Sequence, residues 1–175
     1  MKIIIAQTAG FCGGVKNAVT KAEEIVRKEQ EVFCLGSLVH NEEIIKKLEK
    51  QGLVTIHNIE EAKRGSKVMI RAHGEPPETY QKAQENNLEI IDLTCPKVLA
   101  IHEQAQKYEK EGTTVLYIAE GNHPETQGTM GYLKKAGILV QSEEEIEEAV
   151  KKVLERKTKK IGTVAQTTFS AEKFD

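Results

Sequence analysis

Cys12 and Cys95 open the same pattern twice, and each pattern reaches a histidine at the same distance. His40 follows Cys12 by 28 residues, and His123 follows Cys95 by 28. When the two stretches are laid over each other at an offset of 83, Val15 falls on Val98, Ala22 on Ala105, Val32 on Val115 and His40 on His123. A unit repeated at this spacing is one supersecondary block used twice, so both copies must adopt the same architecture and pack together. Thiol and imidazole repeat with the fold, which places the expected site where the copies meet.

Short runs rich in β-branched residues recur at Lys2–Ala6, Val32–Leu35, Leu53–Ile56, Lys67–Arg71, Glu89–Leu93, Thr114–Ala119, Ile138–Val140 and Ile161–Ala165. Amphipathic stretches lie between most of them. Over Gly14–Glu29, one face carries Val15, Val19, Ala22 and Val26. Over Lys97–Lys110, one face carries Val98, Ile101, Ala105 and Tyr108. Alternating strands and helices predict an α/β fold with parallel sheets covered by helices. Asn58 and Ser142 are expected N-caps, with Glu61 and Glu145 three residues on as in a capping box. The chain therefore divides into a strand and Cys loop (1–13), a first α/β repeat (14–95) and a second (96–175). A third copy would open on a cysteine at about position 178 to 189 by the same period. The expectation is a threefold-repeated protein of which this sequence carries two copies.

The 175 residues carry a net charge of −2 with no basic block, which argues against nucleic acid or an anionic membrane as the main partner. No segment reads as a membrane span or a signal sequence, so the expected compartment is the cytoplasm. There, cysteines are reduced, metal-bound or catalytic rather than disulfide-paired.

In parallel sheets, ligands bind beyond the carboxyl ends of the strands. Cys12, His40, His73, Cys95, His123 with Glu125, and Thr167 all follow predicted strands. Cys12 lies in Gly10-Phe-Cys-Gly-Gly14 and Cys95 in Asp92-Leu-Thr-Cys-Pro96, each just before a predicted helix, where an anionic ligand atom is favoured. Their equivalence marks both as metal-ligand candidates. Cys34 sits inside an apolar strand, aligns with Tyr117 and reads as core. His40, His73 and His123 suit an anionic ligand such as a phosphate or diphosphate. Glu125, beside His123, is a candidate proton donor, and Thr167 a candidate hydrogen-bonding partner for a ligand. His57 and His102 read as structural or solvated. No Walker pattern or G-x-G-x-x-G occurs. The thiols lack zinc-finger spacing. One thiolate from each of three repeats would instead suit an iron–sulfur cluster with one iron left open.

The segments Ala9-Gly-Phe-Cys-Gly-Gly-Val15, Val39-His-Asn41, Arg71-Ala-His-Gly74, Asp92-Leu-Thr-Cys-Pro96, His123-Pro-Glu125, Gly128-Thr-Met-Gly131 and Ala165-Gln-Thr-Thr168 resemble the 4-hydroxy-3-methylbut-2-enyl diphosphate reductases of isoprenoid biosynthesis. The resemblance covers the whole chain. It implies a cloverleaf of three α/β domains around a 4Fe-4S cluster held by three cysteines, two of them Cys12 and Cys95. It implies that His40, His73 and His123 bind the diphosphate, that Glu125 supplies a proton and that Thr167 helps position it. Ferredoxin or flavodoxin would deliver electrons. The family's third cysteine belongs to a third domain absent here, with which Lys2–Ala6 would pack, so the chain alone is expected to be inactive or nearly so. Two other readings stand beside it: a phosphate-binding module without redox chemistry, and a zinc-binding regulatory protein using the same thiols.

Overall fold

The computed structural model of the chain describes residues 2–4, 6, 9–156, 158 and 160–170. In chain order the elements are α1 (Gly13–Val26), β1 (Val32–Leu35), α2 (Glu42–Glu49), β2 (Leu53–Ile56), β3 (Lys67–Ile70), α3 (Pro77–Glu85) and β4 (Glu89–Asp92). There follow α4 (Pro96–Lys110), β5 (Thr114–Ile118), α5 (Pro124–Leu133), β6 (Gly137–Val140), α6 (Ile146–Glu155) and β7 (Ile161–Ala165). The strands form two parallel sheets, one in the order β2-β1-β3-β4 and the other β6-β5-β7. The α/β fold with repeated parallel sheets is therefore as the sequence predicts. Phe33 pairs with Val54 and Val68, and its repeat counterpart Leu116 with Ile138 and Thr163, so the first strand of each copy is flanked on both sides.

Parallel strands are buried on both faces, and their residues are apolar in both directions. In the first sheet, Val32, Cys34 and Met69 face α1, which contributes Ala18, Val19, Ala22 and Val26. Phe33, Leu35, Val68 and Ile70 face the other way, toward α3 and the 3-10 turn Ile59–Glu61. In the second sheet, Val115 and Tyr117 pack with Ala105 of α4 and Leu133 of α5. Ile138 and Val140 pack with Ala149 and Val153 of α6.

One expectation changes, at Ser142, and two others are narrowed. The described residues Lys2–Ile4 and Ala6 carry no strand, and Ile3 and Ile4 are exposed. A strand exists only through a paired neighbour, and this segment has none among the described residues. Ser142 makes no side-chain cap bond. Glu145 instead reaches back one residue further, accepting from the Gln141 N–H at 2.9 Å. His102 takes the structural one of its two expected readings and is buried. It occupies the inward position between Val98 and Ala105 on α4 and stacks on Tyr132, with ring centroids 4.3 Å apart. Asn58 does form its capping box with Glu61. Among the described residues no helix is long and apolar enough to cross a membrane.

Candidate functional site

Every strand end that carries a predicted site residue opens toward its parallel carboxyl edge, as crossover connections require. A chain of contacts joins the residues. Cys12 and Cys95 are the N-cap residues of α1 and α4, and neither side chain caps its own helix, so both thiols are left for other partners. Gly14 lies against the second thiol. A Cβ on Gly14 would come within 2.7 Å of Cys95 Sγ, so only glycine lets the Cys12 turn approach so closely. The Cys95 N–H donates to Ala72 O at 2.9 Å, tying the thiol loop to the residue before His73. Gly74, at φ +75°, packs on His102 and Thr94, where a Cβ would clash at 2.6 Å with the His102 ring.

The three predicted histidines converge. Ring centroids are 4.7 Å apart for His40 and His73, 5.3 Å for His73 and His123, and 6.1 Å for His40 and His123. Each comes from a different strand end, so the cluster exists only because the two repeats pack together. Burial, reinforced by His40, His123 and Arg71, pushes His73 down to about 4, so its imidazole is neutral at pH 7. Burial also lowers His123. His123 N-caps α5, its Nδ1 accepting from the Glu125 N–H at 3.1 Å. A neutral ring that accepts at Nδ1 carries its proton at Nε2.

Glu125 is buried at 1% exposure. Its carboxylate accepts from the Thr167 N–H at 2.7 Å and from the Thr167 hydroxyl at 2.6 Å. The sequence pairs these two residues only through a resemblance; the structure brings them into contact across 42 positions of chain. Sequence reasoning missed their supports. Gln166 is buried, accepts from the Glu120 N–H at 2.9 Å and donates to Thr168 Oγ1 at 2.6 Å, holding the Thr167 turn. Arg71 pairs with buried Glu75 at 3.0 Å beneath the His73 loop. Both lie in the motif segments, which was the available signal.

The two thiols sit at the starts of α1 and α4, and neither is used in capping its own helix. Cys34 belongs to the core, as expected. It is fully buried in β1, and burial pushes its thiol up to about 12. His57 is exposed at the end of β2, outside the cluster.

A sequence model described as LytB protein matches residues 3–175. A 4-hydroxy-3-methylbut-2-enyl diphosphate reductase of Aquifex aeolicus is 43% identical over 98% of this chain and 58% of its own length. One of Bacteroides thetaiotaomicron is 40% identical over 99% of this chain and 60% of its own. The chain thus spans less than two thirds of these relatives. Among solved structures, the E-1-hydroxy-2-methyl-but-2-enyl-4-diphosphate reductase of Plasmodium falciparum superposes with a TM-score of 0.87 over 96% of this chain and 52% of its own, at 28% identity. An (E)-4-hydroxy-3-methyl-but-2-enyl diphosphate reductase, described as the terminal enzyme of the non-mevalonate pathway, gives 0.81 at 43% identity over 98% of this chain and 60% of its own. With motifs, repeat and fold in agreement along its length, the chain belongs to the LytB protein family.

Proposed function

We propose that this chain carries the substrate-binding and proton-handling part of a 4-hydroxy-3-methylbut-2-enyl diphosphate reductase whose remaining residues lie outside this sequence. The observation that carries the reading is the convergence of His40, His73 and His123 at the seam between the repeats, beside Glu125 held by Thr167. The reaction replaces an allylic hydroxyl by hydrogen: two electrons and two protons enter, the C–O bond breaks, and water leaves with isopentenyl or dimethylallyl diphosphate. A 4Fe-4S cluster, when bound, would supply the electrons and Lewis acidity for this reduction. Cys12 and Cys95 fit two of its ligands, the third coming from outside this sequence. Electrons come from a ferredoxin or flavodoxin in the cytoplasm.

The histidine rings orient the diphosphate through N–H donors, and His123 Nε2–H is set for this by its Nδ1 bond to the backbone. Since His73 is neutral when free, an incoming multivalent anion raises its proton affinity, and binding takes up protons near neutral pH. Glu125 holds the proton that leaves with the hydroxyl, and Thr167 fixes the carboxyl in place.

Calorimetric titration of the chain with substrate, in buffers of different ionisation enthalpy, tests this. The expected result is proton uptake on binding and at least a tenfold loss of affinity in His40→Ala and His123→Ala. Equal affinity in wild type and both variants would refute the diphosphate role. Anaerobic reconstitution with iron and sulfide, read by iron count, visible absorption and EPR, tests the thiols. A brown cluster lost in Cys12→Ser and Cys95→Ser supports their role. A colourless, zinc-loaded chain with the same dependence favours the regulatory metal protein.

A further inference from the structure

We infer that His40, His73 and His123 also form a binding site for a single divalent transition-metal ion of the zinc, cobalt or nickel type, independent of the cysteines. This inference stands whether or not the diphosphate reading holds.

The geometry comes first. One ligand nitrogen from each ring can be chosen so that all three lie within 4.8 Å of one another. Three imidazoles on one ion at about 2.0–2.1 Å each form an open tetrahedral face that leaves the fourth position to water. Closing to that distance needs inward ring movements of about 1 Å. His40, exposed on the loop after β1, can make that movement without disturbing the core. His73 Nδ1 is buried without a hydrogen-bond partner, so no protein group competes for it. Imidazole is a favoured ligand for zinc, nickel, copper and iron, whereas magnesium and calcium prefer oxygen ligands and are excluded by this donor set.

Local charge agrees. The nearby cation, Arg71, is paired with Glu75 at 3.0 Å, which offsets it. A dication therefore meets no unbalanced positive charge.

His123 changes its role when a metal ion binds. As an N–H donor to an anion, its ring keeps the proton on Nε2 and accepts from the Glu125 N–H through Nδ1. Ligation through Nε2 moves that proton to Nδ1, where it faces the Glu125 N–H and breaks the cap. The ring serves a metal ion or an anion directly, one at a time, and an anion reaches a metal-loaded triad only as the ion's fourth ligand.

Titration of the 175-residue chain with Co²⁺ alone, followed by visible absorption, tests the inference, and the Glu125 amide resonance reports the cap. We expect one equivalent bound with the intense bands of a low-coordinate ion and a shifted Glu125 amide. Affinity should fall at least tenfold in His40→Ala, which removes an exposed ring and leaves the fold intact. It should persist in the Cys12→Ser/Cys95→Ser double variant and in His57→Ala. Loss of binding in the thiol variant with retention in His40→Ala would overturn it, as would no binding below millimolar Co²⁺.

Discussion

The two copies follow one plan, yet the same sheet face has different fates in them. In copy one, Phe33, Leu35, Val68 and Ile70 are sealed by α3 and the Ile59–Glu61 turn, and β4 completes the sheet edge. In copy two, the repeat places Leu116 and Ile118 where Phe33 and Leu35 stand, but both are only half-buried. Beside them a cavity of about 520 Å³ opens, lined by Leu116, Ile118, Ile146, Val150, Thr163 and Phe169. Among the described residues, no helix or strand follows β7 to play the part of α3 and β4. An apolar pattern thus commits a residue to face inward but does not supply the cover; the next element along the chain does. The equivalent carboxylates show the same contrast. Glu42 and Glu125 correspond in the repeat, yet Glu42 is exposed and ion-paired within its helix to Lys46, while Glu125 is buried and holds Thr167.

The largest expected effect tests the cover directly. Phe33→Ala should cost about 3–4 kcal/mol, as for a fully packed aromatic, whereas Leu116→Ala should cost only about 1 kcal/mol because water already reaches its face. Urea unfolding followed by circular dichroism measures both. Equal losses would mean that something covers the second face in solution.

The seam between the copies should fail in acid before either core does. His102 is buried, neither of its ring nitrogens has a partner, and burial lowers it to about 4. An unfolded histidine titrates near 6.5, so between about 6.5 and 4 the unfolded state binds the extra proton. Stability therefore falls as pH drops through that window and levels off below it, by roughly 3 kcal/mol at most. His73 adds to the same slope. His102→Leu should flatten the slope by about one proton. A slope unchanged in that variant would mean the ring is already solvated.

Next in size is the carboxylate pair. Glu125→Ala strands the Thr167 N–H and hydroxyl and should cost about 2 kcal/mol, with faster amide exchange at Thr167. Glu42→Ala removes an exposed i,i+4 pair and should change stability by no more than a few tenths of a kcal/mol. Similar effects at both sites would erase the distinction between the copies.

The seven strands that form were legible because β-branched runs bounded by polar loops leave little choice, and the repeat allowed each copy to check the other. Lys2–Ala6 has the same composition, but the neighbours expected for it lie in a third repeat, and its described residues carry no strand. The periodicity reading passes over α3, whose exposed face dominates its composition; only Tyr80 and Ala83 turn inward. At the site, the duplication picked out His40 and His123, since repetition is rarer than any lone histidine. His102 could not be separated from a solvated residue, because Gly74, which makes room for it, lies 28 positions away. Gln166 serves the site through a bond from the Glu120 N–H, 46 positions away, that no local pattern encodes.

The smallest difference between the copies is at the caps, where the sequence suggests equality. Asn58 accepts from the Glu60 N–H at 3.1 Å, and Glu61 returns the bond by accepting from the Asn58 N–H at 2.7 Å. At the matching corner of copy two, the Ser142 side chain caps nothing, and the Gln141 N–H and side-chain amide both donate to Glu145 instead. Asn58→Ala should therefore cost about 1 kcal/mol, and Ser142→Ala close to nothing. Gln141→Ala keeps the backbone half of its pair with Glu145 and loses only the exposed half, so it should fall between them. Thermal unfolding of the three variants ranks them. If Ser142→Ala matched Asn58→Ala, the two corners would be capped alike in solution, and the divergence of the copies would begin only at the cover of the sheet.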